Sequence, residues 1–121
     1  MRKILIVDDH PETIRLLEAI LKGADRQFYR AVNGEQGLEL AREANPDLIL
    51  LDVMMPGALD GYQVARSLKD DPETRSTRII VMTAKRQQED REKAFDSGAD
   101  DYITKPFDLA HVRERVTDLL Q

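Results

Sequence analysis

Residues 4–7 (Ile-Leu-Ile-Val) and 48–51 (Leu-Ile-Leu-Leu) are apolar at every position. As strands they present hydrophobic side chains on both faces, and both faces can be buried only if helices cover the sheet above and below. Such strands pair in parallel and are joined by right-handed crossovers, so a helix must follow each strand before the next begins. The chain reads that way from end to end: "KILIVD", "QFYRAV", "DLILLD", "RIIVMT" and "DYIT" are strand patterns with helical patterns between them. In residues 11–22, Ile14, Leu17 and Leu21 recur at helical spacing, with Pro11 suited to the first helical position and Gly23 to a stop. Residues 33–46 offer Asn33 as a cap with Gln36 three residues on, then Leu38, Leu40 and Ala41 before Pro46. Asp60 and Gln63 repeat that device, and Leu109, Val112, Val116 and Leu119 fall on one face of the last helix. The pattern predicts a single doubly wound α/β domain filling residues 1–121, its last helix leaving no room for an output domain within them.

Composition narrows the function. The 121 residues enclose one core and no second. A net charge of -5 argues against direct grip on nucleic acid, and the absence of cysteine removes disulfides and thiolate metal sites. Arg2 and Lys3 before an apolar run imitate a signal peptide, but the run is too short for one, and none is long enough to span a bilayer. A soluble cytoplasmic protein with no membrane partner is the expectation.

In doubly wound sheets, ligands bind outside the carboxyl ends of the strands. Those ends carry Asp8 and Asp9, Asp52, Thr83 and Lys105. Three converging carboxylates repel one another unless a cation lies between them, and a hard divalent ion with oxygen ligands, Mg²⁺ first, meets that need. Lys105 adds a point charge and Thr83 a hydroxyl, which together suit a phosphate group. With no Ser, Cys or placed His nearby, the available nucleophile is a carboxylate, and Asp52 is the natural phosphoryl acceptor.

At these residues the sequence resembles a two-component response-regulator receiver domain of the CheY-like kind over essentially its whole length. The resemblance rests on the acidic pair in "LIVDDH", the acceptor in "LLDVMMPG", Thr83 with Ala84 in "IIVMTAK", the aromatic Tyr102 in "ADDYITKPF", and Lys105 with Pro106. It implies a flavodoxin-like sheet of five parallel strands, order 2-1-3-4-5, with five flanking helices. It implies a Mg²⁺ site built by Asp8, Asp9, Asp52 and the backbone carbonyl of Met54. It also implies a phosphoryl group taken onto Asp52 from a sensor histidine kinase or phosphotransfer protein, with the domain catalysing only its own modification and its reversal. Thr83 would then move to bond a phosphoryl oxygen and Tyr102 would turn inward, switching the surface of helix 4, strand 5 and helix 5 toward an effector or output domain. Arg91, Asp100, Asp101 and Arg115 resemble positions that pair across a phosphorylation-promoted homodimer, with His111 where an acidic partner is common.

Other readings of the same residues carry weight. Asp8 or Asp9 alone could cap the first helix, Thr83 could be a β-branched strand residue, and Tyr102 a half-buried aromatic. Met54, Met55 and Met82 read as packing, and His10 and His111 as surface or cap residues. Residues 85–93 contain no apolar side chain, so a helix over 85–96 is expected to be the most mobile and part of the signalling surface. The loop from Asp52 to Gly61, with "GALDG", is one residue longer than the family pattern, and Lys85 stands where acidic or polar residues are frequent. Met54 and Lys85 are expected to flank the water that attacks the acyl phosphate and so to set its lifetime. The rival functions are a receiver-shaped adaptor that works without phosphorylation and, more remotely, an aspartate-nucleophile phosphatase. The phosphatase needs a second acid two residues after Asp52, where Met54 stands.

Overall fold

The computed structural model describes residues 1–84 and 88–121. Five strands, β1 (Arg2–Val7), β2 (Arg26–Ala31), β3 (Leu48–Asp52), β4 (Arg78–Thr83) and β5 (Asp101–Thr104), alternate with five helices. The helices are α1 (Pro11–Leu21), α2 (Gly34–Ala44), α3 (Gly61–Asp70), α4 (Gln88–Asp96) and α5 (Leu109–Leu120). All strand pairings are parallel, and their order is β2-β1-β3-β4-β5.

The two-residue period of the strands divides the core. Ile4 and Ile6, Leu48 and Leu50, Ile80 and Met82 face one side, where Ile14, Leu17 and Leu21 of α1 and Val112, Val116 and Leu120 of α5 cover them. Leu5 and Val7, Ile49 and Leu51, Ile79 and Val81 face the other, under Ala41 of α2, Val64, Ala65 and Leu68 of α3, and Ala94 of α4. The three central strands are thus buried above and below, as their unbroken apolar runs require. Burial of each such side chain contributes about 1.5–3 kcal/mol.

Helix ends follow their caps. Asp60 and Gln63 form the reciprocal box, each accepting the other's backbone N–H at 2.9 Å. Asn33 accepts from Gln36 N at 2.8 Å, but Gln36 Oε1 reaches past the cap to Val32 N, also at 2.8 Å. Gly23 is not the stop for α1: the helix ends when Lys22 turns extended (ψ 134), and Gly23 is not among the positive-φ residues. On α5 the buried residues are Val112, Val116 and Leu120, whereas Leu109 is exposed. Leu109 has the right angle but is the first helical residue, at the carboxyl edge of the sheet where the strand layer ends.

The loop between β3 and α3 is packed closely at its far end. A Cβ on Gly61 would lie 2.3 Å from the Asp52 carbonyl oxygen and 2.6 Å from Val53 Cα, both rigid backbone. Gly61 N also donates to Val53 O at 3.2 Å, and Val53 N to Met82 O at 3.1 Å. The start of α3 therefore sits directly on the residue that ends β3. Earlier in the same loop Gly57 takes φ 106, and Ala58 N donates to Glu35 Oε1 of α2 at 3.3 Å. Replacing Gly61 by Ala forces backbone to move and is expected to cost about 2–3 kcal/mol; urea denaturation should show the lower midpoint, and an unchanged midpoint would contradict the packing.

Candidate functional site

Strand register assembles the site. Val7 of β1 pairs with Leu51 of β3, so Asp8 emerges beside Asp52. Asp52 pairs with Met82 and Thr83 with Thr104, so Thr83 and Lys105 follow at the same edge. Strand order reverses between β1 and β3, and the crevice outside that pair is where a doubly wound sheet binds its ligand. All five residues singled out at the strand ends lie along this edge.

Asp8 is fully buried, and Asp52 and Thr83 are each 2% exposed. Lys105 Nζ lies 3.1 Å from Asp8 Oδ2 and 3.4 Å from Asp52 Oδ1. Met54 N donates to the same Asp52 oxygen at 3.2 Å. Burial raises the Asp52 carboxyl above its ordinary value, and the Asp8 carboxylate adds to the rise; Lys105 and the Met54 N–H pull the other way without cancelling it. Two buried carboxylate oxygens, Asp52 Oδ2 and Asp9 Oδ1, have no hydrogen-bond partner. Three carboxylates thus face one ammonium among the described residues, and Asp52 Oδ2 is a buried acceptor without a hydrogen-bond donor. A divalent cation fits that charge and that donor set.

Neither Asp8 nor Asp9 caps α1. The N-cap residue is His10, which makes no side-chain capping bond, while Asp8 Oδ1 accepts the His10 N–H at 2.9 Å. His10 Nδ1 is 3.2 Å from both Asp8 Oδ1 and Asp9 Oδ1, and Asp8, Asp9, His10 and Asp52 can each offer a ligand atom within 4.8 Å of the others. Sequence reading placed His10 at the surface or the cap and missed this proximity. The signal was its position directly after the acidic pair and before Pro11, which fixes it on the same short turn. Met55 and Met82 pack as expected, but Met54 does not: its side chain is 68% exposed at the mouth of the site, because the chain turns outward after Asp52. Lys85 lies outside the described residues.

Tyr102 is half-buried on β5, its ring edge-on to Phe95 at 6.1 Å between centroids. Its hydroxyl accepts from Arg91 Nε of α4 at 3.0 Å. Asp101 pairs with Arg115 of α5, which also reaches Asp118 at 3.0 Å. Asp100, directly before β5, accepts from Ile79 N at 2.8 Å and lies 3.3 Å from Lys69 Nζ. The expected helix over 85–96 corresponds to α4, with 85–87 outside the described residues. Ala94 is buried, Arg66 of α3 donates to Asp96 O at 3.1 Å, and Phe95 is half exposed.

Residues 4–117 match the family model described as "Response regulator receiver domain". Protein PilH of Pseudomonas aeruginosa is 44% identical over 108 residues, which cover 89% of this chain and 88% of PilH. The DNA-binding dual master transcriptional regulator RpaA of Synechocystis sp. is 42% identical over 121 residues, and this chain spans only 50% of RpaA's length. A putative response regulator from Chloroflexus aurantiacus has a crystal structure that superposes with TM-score 0.91 at 34% identity, covering 98% of this chain and 97% of that one. Among the described residues no helix is long and apolar enough to cross a membrane.

Because the folded Asp52 carboxyl holds its proton more tightly than in the unfolded chain, its ionisation costs stability that reappears as pH falls. In metal-free buffer Asp52→Asn is expected to melt higher than the parent at neutral pH, and the gap should close as pH drops through the carboxylate range. Melting curves across pH check this, and an Asn variant less stable at neutral pH would refute it.

Proposed function

The chain belongs to the response regulator receiver domain family, and from that premise we propose that it is one receiver domain over residues 1–121 that accepts a phosphoryl group on Asp52. The donor is the phosphohistidine of a sensor histidine kinase or phosphotransfer protein. One observation carries the reading: a buried Asp52 carboxylate with one oxygen beside the Lys105 ammonium and the other unpartnered.

An Asp52 oxygen attacks phosphorus while the bond from phosphorus to the donor imidazole breaks, its electron pair leaving with the ring nitrogen. The product is an acyl phosphate. The transition state is helped chiefly by positioning and charge. Register holds the carboxylate at a fixed point of the crevice, Lys105 neutralises charge on the transferring oxygens, and Thr83 supplies a hydroxyl. Asp8, Asp9, Asp52 and the Met54 carbonyl would hold Mg²⁺, whose positive charge would keep Asp52 ionised and offset the charge of the phosphoryl oxygens. Asp8, fully buried and bonded to Lys105, keeps that lysine aimed at Asp52.

The phosphoryl group then biases a two-state surface. Thr83 moves toward it and Tyr102 turns inward, and because the Tyr102 hydroxyl is bonded to Arg91, that turn breaks or drags a link to α4. The surface of α4, β5 and α5 meets an effector or output domain. A phosphorylation-dependent homodimer would use Arg91, Asp101 and Arg115 after exchange of their present bonds within the chain.

The test is incubation with Mg²⁺ and a small acyl-phosphate donor, followed by mass mapping. A phosphoryl adduct on Asp52 is expected, absent in Asp52→Asn and formed on the order of 10²–10³-fold more slowly in Lys105→Ala. No adduct, or one on another residue, would overturn the reading. With Mg²⁺ at one hundred times its dissociation constant, the parent should gain about 2.7 kcal/mol of stability, and an Asp8→Ala, Asp52→Asn double variant little.

A further inference from the structure

His10 is the residue of the site that the reading above leaves unused. Its backbone N–H is tied to Asp8 Oδ1 and Pro11 follows it as the first residue of α1, so its position on the turn is fixed before any ligand arrives. An octahedral ion with ligands at about 2.1 Å separates adjacent ligand atoms by roughly 3.0 Å. The 3.2 Å separations from His10 Nδ1 to Asp8 Oδ1 and to Asp9 Oδ1 are close to that edge length. The independent sign that a ligand belongs here is the buried, unpartnered Asp52 Oδ2, on a residue 2% exposed.

We propose that His10 is an additional protein ligand of this cation site and moves its preference from Mg²⁺ toward divalent d-block ions that bind imidazole. The inference rests on the cation reading given above. Mg²⁺ takes hard oxygen ligands and gains little from an imidazole. Mn²⁺, Co²⁺ and Ni²⁺ accept nitrogen increasingly well in that order. A set of three carboxylates and one imidazole therefore separates the two classes of ion, where carboxylates alone would do so less. Nδ1 coordinates as the neutral ring, with the proton on Nε2.

The rival role is a plain hydrogen bond from Nδ1–H to Asp8, which sits at 3.2 Å. Calorimetric titration of metal-free protein with MgCl₂ and NiCl₂ separates them, using the parent, His10→Ala, His10→Asn and, as a control for the chain's other histidine, His111→Ala. His10→Ala and His10→Asn should each lose about tenfold or more in Ni²⁺ affinity while Mg²⁺ affinity stays within about twofold, and His111→Ala should match the parent for both. Pulsed EPR of the Mn²⁺-loaded parent should show an imidazole ¹⁴N coupling that His10→Ala abolishes. Parallel loss of both metals, retained Ni²⁺ preference in His10→Asn, or no ¹⁴N coupling would overturn the role of His10 while leaving the cation site standing. Failure of the parent to bind Mg²⁺ or Ni²⁺ would remove the cation reading and this inference together.

Discussion

The β1–β3 register brings Asp8 and Asp52 side by side at a sheet edge from which neither can retreat. Each follows a strand whose apolar residues are buried on both faces, so relaxing their repulsion by moving backbone would expose several side chains at about 1.5–3 kcal/mol each. The repulsion must instead be answered locally. Lys105 answers part of it from the end of β5, and the unpartnered Asp52 Oδ2 marks what remains. That shortfall leaves the edge too negative for the Lys105 ammonium beside it, a charge and donor set that a divalent cation fits.

The strands and the site were legible because they obey short-range rules. An unbroken apolar run ending in Asp can be recognised without knowing what it touches, and so can the Asp60–Gln63 box. What escaped depends on contacts distant in sequence or on position along an element. Leu109 has the correct helical angle but the wrong depth, which no periodicity reports. Met54 resembles a core residue by type, yet the chain turns outward after Asp52. His10 became part of the site only once the turn after β1 folded Nδ1 toward both carboxylates. Asp100 and Asp101 are adjacent acids at the start of β5, yet Asp100 is bonded to Ile79 N and Lys69 while Asp101 pairs with Arg115 of α5.

The two faces of the sheet are not held alike. α1 and α5 each contribute three large buried aliphatics. Among the described residues α4 contributes one buried alanine, the half-exposed Phe95 edge-on to Tyr102, and polar bonds from Arg66 to the Asp96 carbonyl and from Arg91 to the Tyr102 hydroxyl. Exposed polar bonds of this kind are worth little individually and exchange readily with water. A helix attached this way is held by less buried apolar surface than one attached by Leu17 or Val116.

The amino edge of the sheet is fastened in the opposite manner. Lys69 Nζ binds the carbonyls of Arg75 and Thr77 as well as Asp100, Thr77 Oγ1 reaches Pro46 O, and Asp47 accepts from Lys3 N. Asp100 in turn accepts from Ile79 N, so the starts of β1, β3, β4 and β5 are stitched together by side chains. The amino edge is thus clamped by side chains that each join segments distant in the sequence. At the carboxyl edge, by contrast, the buried carboxylates of Asp8 and Asp52 share the Lys105 ammonium, so one edge is saturated with bonds and the other is short of them.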